Sequence, residues 1–412
     1  MAANAKIQRL TREATREVAT PYHIKSTGTG AAPHAVQALA DELLGDAFLH
    51  HASDLHFETR EDGLHIRLRI DGLLEESTPP LPAVLAGPLL SRIRILAGMD
   101  ITNHLTPEEG HIRAAKNYPD IRVSSIPAID GESMVLRFMT EQAHALSLGE
   151  LGYLPDALQR FRALIHRPQG LILIVGPMGS GKSSTLYAAI EELRDPSKSI
   201  ITLEDPVERV IDGITQIEVN PQTGLTFPVG LRALLRQDCQ CILLGEIRDE
   251  ETAKLAVRIA LTGHLVLTTL HTGDCVSTIF RLLEMGVPRY LLAATLTGIV
   301  SQRLVRCRIK ESVENDRNRY QGRTVLSEIL PFSPACRQLL LDHALASAFH
   351  QYMKEAALPT LMQDGLEKCH LGITDEQELC RVLGAYENTG PDINRDSDSS
   401  CSCPSARSDV PR

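Results

Sequence analysis

An α/β fold built on a parallel sheet is the expectation, and three observations lead to it. A five-residue apolar run, Leu171–Val175, passes directly into Gly176, Pro177, Met178, Gly179, Ser180, Gly181, Lys182 and Ser183, followed by Ser184 and the helix-compatible Thr185–Ile190. Similar apolar runs recur at Ile200–Leu203, Cys241–Leu244 and Leu265–Leu270, separated by stretches long enough for a helix. Each of those runs leads into a polar group: Glu204, Glu246 and His271. Short apolar runs alternating with helical segments indicate βαβ units. In open parallel sheets ligands bind beyond the carboxyl ends of the strands, so these residues are expected to converge on one crevice.

Taken in order, residues 1 to about 34 are polar and mixed, with Thr27-Gly28-Thr29-Gly30 as a break; a partial helix and a loose leader both fit. Apolar spacing from Ala35 to about Leu49 suits a helix. Leu64–Ile70 alternates and ends at Asp71-Gly72, which reads as a strand entering a hairpin turn. Asp120–Ile126 and Met134–Met139 read as strands in the same way. Helical patterns at Pro88–Ala97 and Pro155–His166 both open with proline, which suits the first helical position. Pro168-Gln169-Gly170 punctuates the entry into the core. Beyond about Gln302 the pattern turns largely helical, and from Glu387 a Ser-, Asp-, Pro- and Cys-rich composition reads as a disordered tail. No internal repeat is evident.

Composition excludes several classes. The 412 residues, 43% hydrophobic, are enough for two or three domains with real cores. The net charge of −10 argues against a nucleic-acid wrapper, since those are usually basic. No apolar run approaches the roughly 20 residues of a membrane span, and the N-terminus has no apolar signal-type segment, so a cytoplasmic location is expected. Nine scattered cysteines indicate free thiols. Cys239-x-Cys241 lies on an expected buried strand, and Cys401-x-Cys403 lies in the tail without partners, so neither makes a metal site.

The chemistry follows from the loop. Glycines at Gly176, Gly179 and Gly181 let successive backbone N–H groups turn inward onto phosphate oxygens. Lys182 supplies a point charge for the β- and γ-phosphates, and Ser183 a hydroxyl for Mg²⁺. A nucleoside triphosphate is the expected ligand, ATP with Mg the expected pair. Glu246, at the end of an apolar strand, suits holding Mg²⁺ through its waters, while Glu204 is the better candidate to polarise the attacking water. His264 and His271 bracket a strand; for His271, sensing of the γ-phosphate, coupling of neighbouring subunits and a satisfied core histidine all stay open.

These residues carry a family resemblance. The loop Gly176–Ser183, the stretch Ile201–Glu208, the run ending Gly245-Glu246-Ile247-Arg248-Asp249, and Thr262–Leu265 with Leu270-His271-Thr272 match four motifs. Together they resemble those of the secretion-superfamily ATPases that power type II secretion, type IV pilus assembly and DNA-uptake pseudopili. Gly224–Phe227, Leu231–Asp238, Ala52–Glu58 and Arg67–Gly72 match as well, so the resemblance spans about Ala38 to Leu383. It implies a PAS-like α+β domain over 35–145 and a RecA-like ATPase core over 150–301. Residues 302–386 would form a mostly helical C-terminal part of the ATPase domain. It implies a homo-hexameric ring acting through an inner-membrane platform protein, peripheral to the cytoplasmic membrane, without direct nucleic-acid contact. It further implies that arginines of the first domain reach the nucleotide phosphates on closure, with Arg122 and Arg137 at the matching positions. Surface arginines on a sheet face are the plainer alternative.

The chain also departs from the family pattern. Pro107-Glu108-Glu109-Gly110-His111 stands where the family carries Pro-Gln-Asp-Gly-Arg, which puts that arginine's contact in doubt, although Arg113 follows. Only Cys307 occupies the region where many assembly-type members carry four zinc-binding cysteines, so no zinc is expected. The long N-terminal domains of larger relatives are not seen in this sequence. That shortness, together with Gln302-Arg303-Leu304-Val305-Arg306, favours an assembly-type motor of the competence or short pilus-biogenesis kind. A pilus-retraction ATPase is the alternative, though its typical Ala-Ile-Arg-Asn-Leu-Ile signature is missing. A RecA-like nucleic-acid motor fits less well with 4% aromatics and no Trp, and a non-hydrolysing scaffold fits poorly with Glu204 and Glu246 both present.

Overall fold

Ile7, Leu10 and Ala14 fall three and four residues apart, the spacing that puts side chains on one helical face. In the computed structural model, which describes residues 2–19, 34–139, 146–309 and 319–384, they are buried on α1 (Ala2–Ala19) against α2 (His34–Leu49). The first domain's core therefore begins ahead of residue 35. Expectations for 20–33, for the joining residues 140–145, for the charged stretch 310–318 and for the tail from 387 lie outside the described residues.

Six strands follow in that domain: β1 (Asp54–Arg60), β2 (Gly63–Ile70), β3 (Leu73–Glu76), β4 (Glu108–Ile112), β5 (Asp120–Ala128) and β6 (Gly131–Met139). Helix α3 (Ala86–Ala97) lies between β3 and β4, and starts two residues before Pro88. The proline sits in the first turn, where its missing N–H has no helical partner to lose. The strands form one antiparallel sheet in the order β3-β2-β1-β6-β5-β4. Period-two alternation buries Ile121 and Val123 on β5, and Met134, Leu136 and Phe138 on β6, against the helices. The opposite face is polar and carries Arg122 and Arg137. The Asp71-Gly72 turn closes the β2–β3 hairpin with positive φ at both residues, 48° and 87°. This is the left-handed pair that a two-residue hairpin turn requires.

After α4 (Pro155–Ile165) the second domain alternates strand and helix through β7 (Gly170–Val175), α5 (Lys182–Leu193), β8 (Ile200–Glu204), β9 (Thr215–Glu218), α6 (Phe227–Leu234), β10 (Cys241–Leu244), α7 (Glu250–Leu261), β11 (Leu265–Leu270), α8 (Cys275–Glu284) and α9 (Arg289–Thr295). With β12 (Leu296–Arg308) and β13 (Tyr320–Pro331) the sheet order is β13-β12-β7-β11-β10-β8-β9, parallel except for the edge strand β13. All of β7 is buried: Leu171, Leu173 and Val175 pack into one core cluster and Ile172 and Ile174 into another. A strand covered by helices on both faces reads as an unbroken apolar run.

One expectation is corrected here. The region after Gln302 is not helical from its start: β12 (Leu296–Arg308) and β13 (Tyr320–Pro331) are long paired strands. Arg303, Arg306 and Arg308 interrupt the apolar pattern where β12 is only partly buried, which hid the strand. Helices α10 (Pro334–Leu341), α11 (Ala346–Glu355), α12 (Leu361–His370) and α13 (Glu376–Leu383) complete the domain. Among the described residues no helix is long and apolar enough to cross a membrane. The Asp71 turn meets this hairpin: Asp71 Oδ2 accepts from Gly322 N at 2.9 Å, with Arg323 Nε 3.9 Å from Asp71 Oδ1.

Candidate functional site

The loop between β7 and α5 turns on three glycines with φ of 152° (Gly176), 73° (Gly179) and 83° (Gly181). A side chain at Gly176 would also be excluded by space, since its Cβ would lie 2.5 Å from the Gln302 carbonyl oxygen and 2.6 Å from Ser180 Oγ. Lys182 folds back over the loop, donating to the Gly176 and Pro177 carbonyls at 3.0 and 2.9 Å. Burial pushes its ammonium below the ordinary lysine range, with Glu246 opposing that shift. Pro177, Met178, Gly179, Ser180, Lys182 and Ser183 line a cleft of about 920 Å³; Ser184 is exposed on α5 and does not line it.

The strand ends bring Glu204, Glu246 and His271 into the same cleft, at the carboxyl edge of the sheet. Glu204 is buried, and its carboxylate accepts from the Tyr187 hydroxyl, from Thr202 Oγ1 and from Gln216 Nε2 at 3.3 Å. Glu246 accepts from Arg248 Nε at 2.6 Å and lies 3.4 Å from His271 Nε2. Arg248 also reaches Asp205 at 2.9 Å. His264, by contrast, sits at the amino end of β11, where its Nδ1 contacts Thr262 Oγ1 and the Ile259 carbonyl, away from the cleft.

Glu208 was given no role from the sequence, yet its Oε1 accepts from Ser183 Oγ at 3.4 Å. Burial raises its carboxyl pKa and Glu204 adds to the rise, while Ser183, Arg137 and Arg122 oppose it. Arg303 was missed too: it lines the cleft and donates to the Gly273 carbonyl at 2.8 Å. The signal for both was their place within quoted motifs, Ile201–Glu208 and Gln302–Arg306.

The first domain supplies the facing wall through Asp54, Arg69, Asp71 and Arg137. Strand register places Arg69, Asp54, Arg137, Arg122 and His111 in one row across β2, β1, β6, β5 and β4. Arg137 Nε donates to Asp54 Oδ1 at 2.9 Å and Arg69 Nε lies 3.5 Å from Asp54 Oδ2. Arg122 does not line the cleft but stands directly opposite Arg137. Like charges placed opposite each other cost stability, and the Asp54 carboxylate offsets that on the Arg137 side. His111 fills the position of the family's arginine, 3.7 Å from Asp120. Among the described residues no three potential metal ligands gather, and Cys307 lies within β12.

Comparison with known proteins adds a second line. Residues 30–381 match the family model of type II/IV secretion system proteins. The chain is 40% identical to the type II secretion system ATPase E of Vibrio cholerae over 84% of this chain and 74% of that protein. It is 36% identical to the type IV pilus assembly ATPase PilB of Thermus thermophilus, over 90% of this chain and 45% of that protein. Among solved structures, the Legionella pneumophila ATPase DotB superposes with a TM-score of 0.67 at 25% identity, covering 86% of this chain and 96% of that one. The pilus retraction motor PilT with bound ADP superposes at 0.61 and 28% identity, covering 84% and 97%.

Proposed function

The chain belongs to the type II/IV secretion system protein family, and from that premise we propose that it is an Mg-dependent ATP hydrolase working as a homo-hexameric motor. Its work is to assemble a type IV pilus, a competence pseudopilus or a secretion pseudopilus through an inner-membrane platform protein, at the cytoplasmic face of that membrane. The observation that carries the reading is the convergence of the glycine loop, Glu204, Glu246, His271 and the first domain's Arg137 on one cleft between two domains.

The residues suit the ligand. Ser180 Oγ is buried in the loop without a hydrogen-bond partner, and the loop backbone comes too close to β12 for a side chain at Gly176. Such a cradle of N–H groups at a helix N-terminus donates to phosphate oxygens. Ser183, Glu208 and Glu246 form a set of oxygen donors that a hard divalent cation prefers. Bound Mg²⁺ supplies charge neutralisation at the β- and γ-phosphates.

Each side chain then has a task. Lys182 exchanges its loop carbonyls for phosphate oxygens. Ser183 and Glu246 would hold the cation, the carboxylate partly through water. Glu204, with its carboxylate oriented by Tyr187 and Gln216, positions the attacking water and receives its proton. His271 fixes Glu246. Arg137 and Arg122, on a PAS-like domain that closes over the site, meet the phosphate charge only in the closed form, which ties hydrolysis to movement.

The test is steady-state ATP hydrolysis per subunit over a wide range of protein concentration. A steep rise is expected, because the ring completes the site. A flat, appreciable rate would remove the hexameric part of the reading, and no hydrolysis together with no ATP binding would remove all of it.

A further inference from the structure

Strand β12 touches the phosphate loop at both ends through one residue. The Gln302 carbonyl oxygen faces Gly176 at the loop's entry, while Gln302 Nε2 donates to the Ser180 carbonyl at 2.7 Å where the loop turns into α5. The other end of the carboxamide, Oε1, accepts from Tyr153 OH and from Thr185 Oγ1, both at 3.1 Å. Gln302, Tyr153 and Thr185 are all buried, with Gln302 at 1% exposure.

The orientation of this amide is fixed by chemistry. A carbonyl only accepts, so the NH₂ end must face Ser180; the oxygen is left to two hydroxyls, each of which has a proton to give. The consequence reaches the ligand. Ser180 C=O and Gly181 N–H belong to one planar trans peptide and point in opposite directions. Holding the carbonyl against β12 therefore aims the Gly181 N–H to the other side, into the cradle. Left free, that peptide could rotate and present its oxygen to an anion. Tyr153 carries the link further. It lies in 146–154, the described part of the inter-domain segment between β6 and α4, which pairs with β13 through Val325 N to the Leu151 carbonyl at 3.2 Å.

We propose that Gln302 is a positioning residue for the phosphate loop, its carboxamide holding the Ser180 carbonyl while Tyr153 connects it to the inter-domain segment. The inference rests on the nucleotide-binding reading of the cleft. It makes the loop's grip on phosphate depend on the inter-domain segment, without either side chain touching nucleotide.

The experiment compares the full-length wild type with Gln302→Met, Gln302→Glu and Tyr153→Phe by titration with a fluorescent ADP analogue at fixed Mg²⁺, by KM and kcat for ATP, and by thermal unfolding. Gln302→Met should weaken ADP binding about tenfold, the worth of one buried hydrogen bond, and raise KM more than it lowers kcat. Gln302→Glu has nearly the wild-type shape but sets an oxygen against the Ser180 carbonyl, so it should bind at least as weakly as the methionine variant. A purely space-filling role would leave it near wild type. Tyr153→Phe removes a single oxygen and should weaken binding about two- to threefold. Folded Gln302 variants binding ADP within twofold of wild type would overturn the inference alone. Should they fail to fold, unchanged affinity in Tyr153→Phe would overturn it. A wild type that binds no ADP would remove the nucleotide site and this inference together.

Discussion

Arg137 on β6 and Asp54 on β1 face each other across the first domain's sheet and are joined by a hydrogen bond of 2.9 Å from Nε to Oδ1. Asp54 is 4% exposed, whereas the Arg137 side chain is 69% exposed and lines the cleft opposite the phosphate loop. The arginine is thus tethered to Asp54 through its Nε. Reaching a phosphate requires keeping or exchanging that tether.

Removing the guanidinium should therefore be far more damaging than loosening its tether. Arg137→Ala is expected to lower kcat about a hundredfold or more with a smaller change in ATP binding, because an arginine acts on transition-state charge. Asp54→Asn, which keeps the shape and drops the charge, should raise basal hydrolysis a few-fold by freeing Arg137. Equal losses from both substitutions would show that Asp54 and Arg137 serve only to hold the sheet.

The two carboxylates are expected to separate by their dependence on metal. Glu204→Gln should retain ATP binding and lose about 10²–10⁴-fold in kcat, the range for a general base. Glu246→Gln should instead raise the Mg²⁺ concentration needed for half-maximal activity. It also releases Arg248 and His271, so His271→Ala should show a weaker form of the same Mg²⁺ shift. Identical Mg²⁺ titrations for all three variants would contradict this division.

Gly176 tests the cradle by sterics alone. Gly176→Ala asks an L-residue to adopt φ 152° with its Cβ 2.5 Å from the Gln302 carbonyl. Backbone strain of that kind costs about 1–3 kcal/mol, and the loop must shift to relieve it. ADP affinity is expected to fall by about two orders of magnitude, with Tm lowered by a few degrees. Retained affinity in titration calorimetry would argue against phosphate binding at this loop.

Acid stability should report on Glu378, which fastens α13 to β12. Burial raises its carboxyl pKa, but hydrogen bonds from Arg381 and Arg306 outweigh that and hold it at about 2, below the ordinary 4.5. A depressed folded-state pKa stabilises the protein above the unfolded value and loses that contribution as pH falls through the folded one. The contribution is full above about pH 5 and fades between pH 4.5 and 2. Glu378→Gln should cost about 2–4 kcal/mol at neutral pH and flatten this part of the stability–pH curve in denaturant titrations; an unchanged slope would refute the assignment.

Much of this was open to reading in the residues. Leu171–Val175 ending in Gly176 could hardly be other than a buried strand entering a phosphate loop, because a strand covered on both faces needs no polar residue and the loop needs its glycines. Asp71-Gly72 announced its own turn by requiring positive φ. What failed was local pattern where burial is partial: β12 beyond Gln302 is interrupted by arginines. Helix α1, with Ile7, Leu10, Ala14 and Val18 on one face, fits both a partial helix and a loose leader when read along the chain alone.

Periodicity and glycine placement are properties of neighbouring residues, so the βαβ core, the loop and the carboxylates at the strand ends were legible along the chain. Which distant residues meet there is set by the fold: Glu208 against Ser183, Arg137 against Asp54, and Gln302 behind Ser180, 122 positions away in the chain. Those pairings depend on strand register and on the order of strands within each sheet. A chain read one neighbourhood at a time holds no record of either.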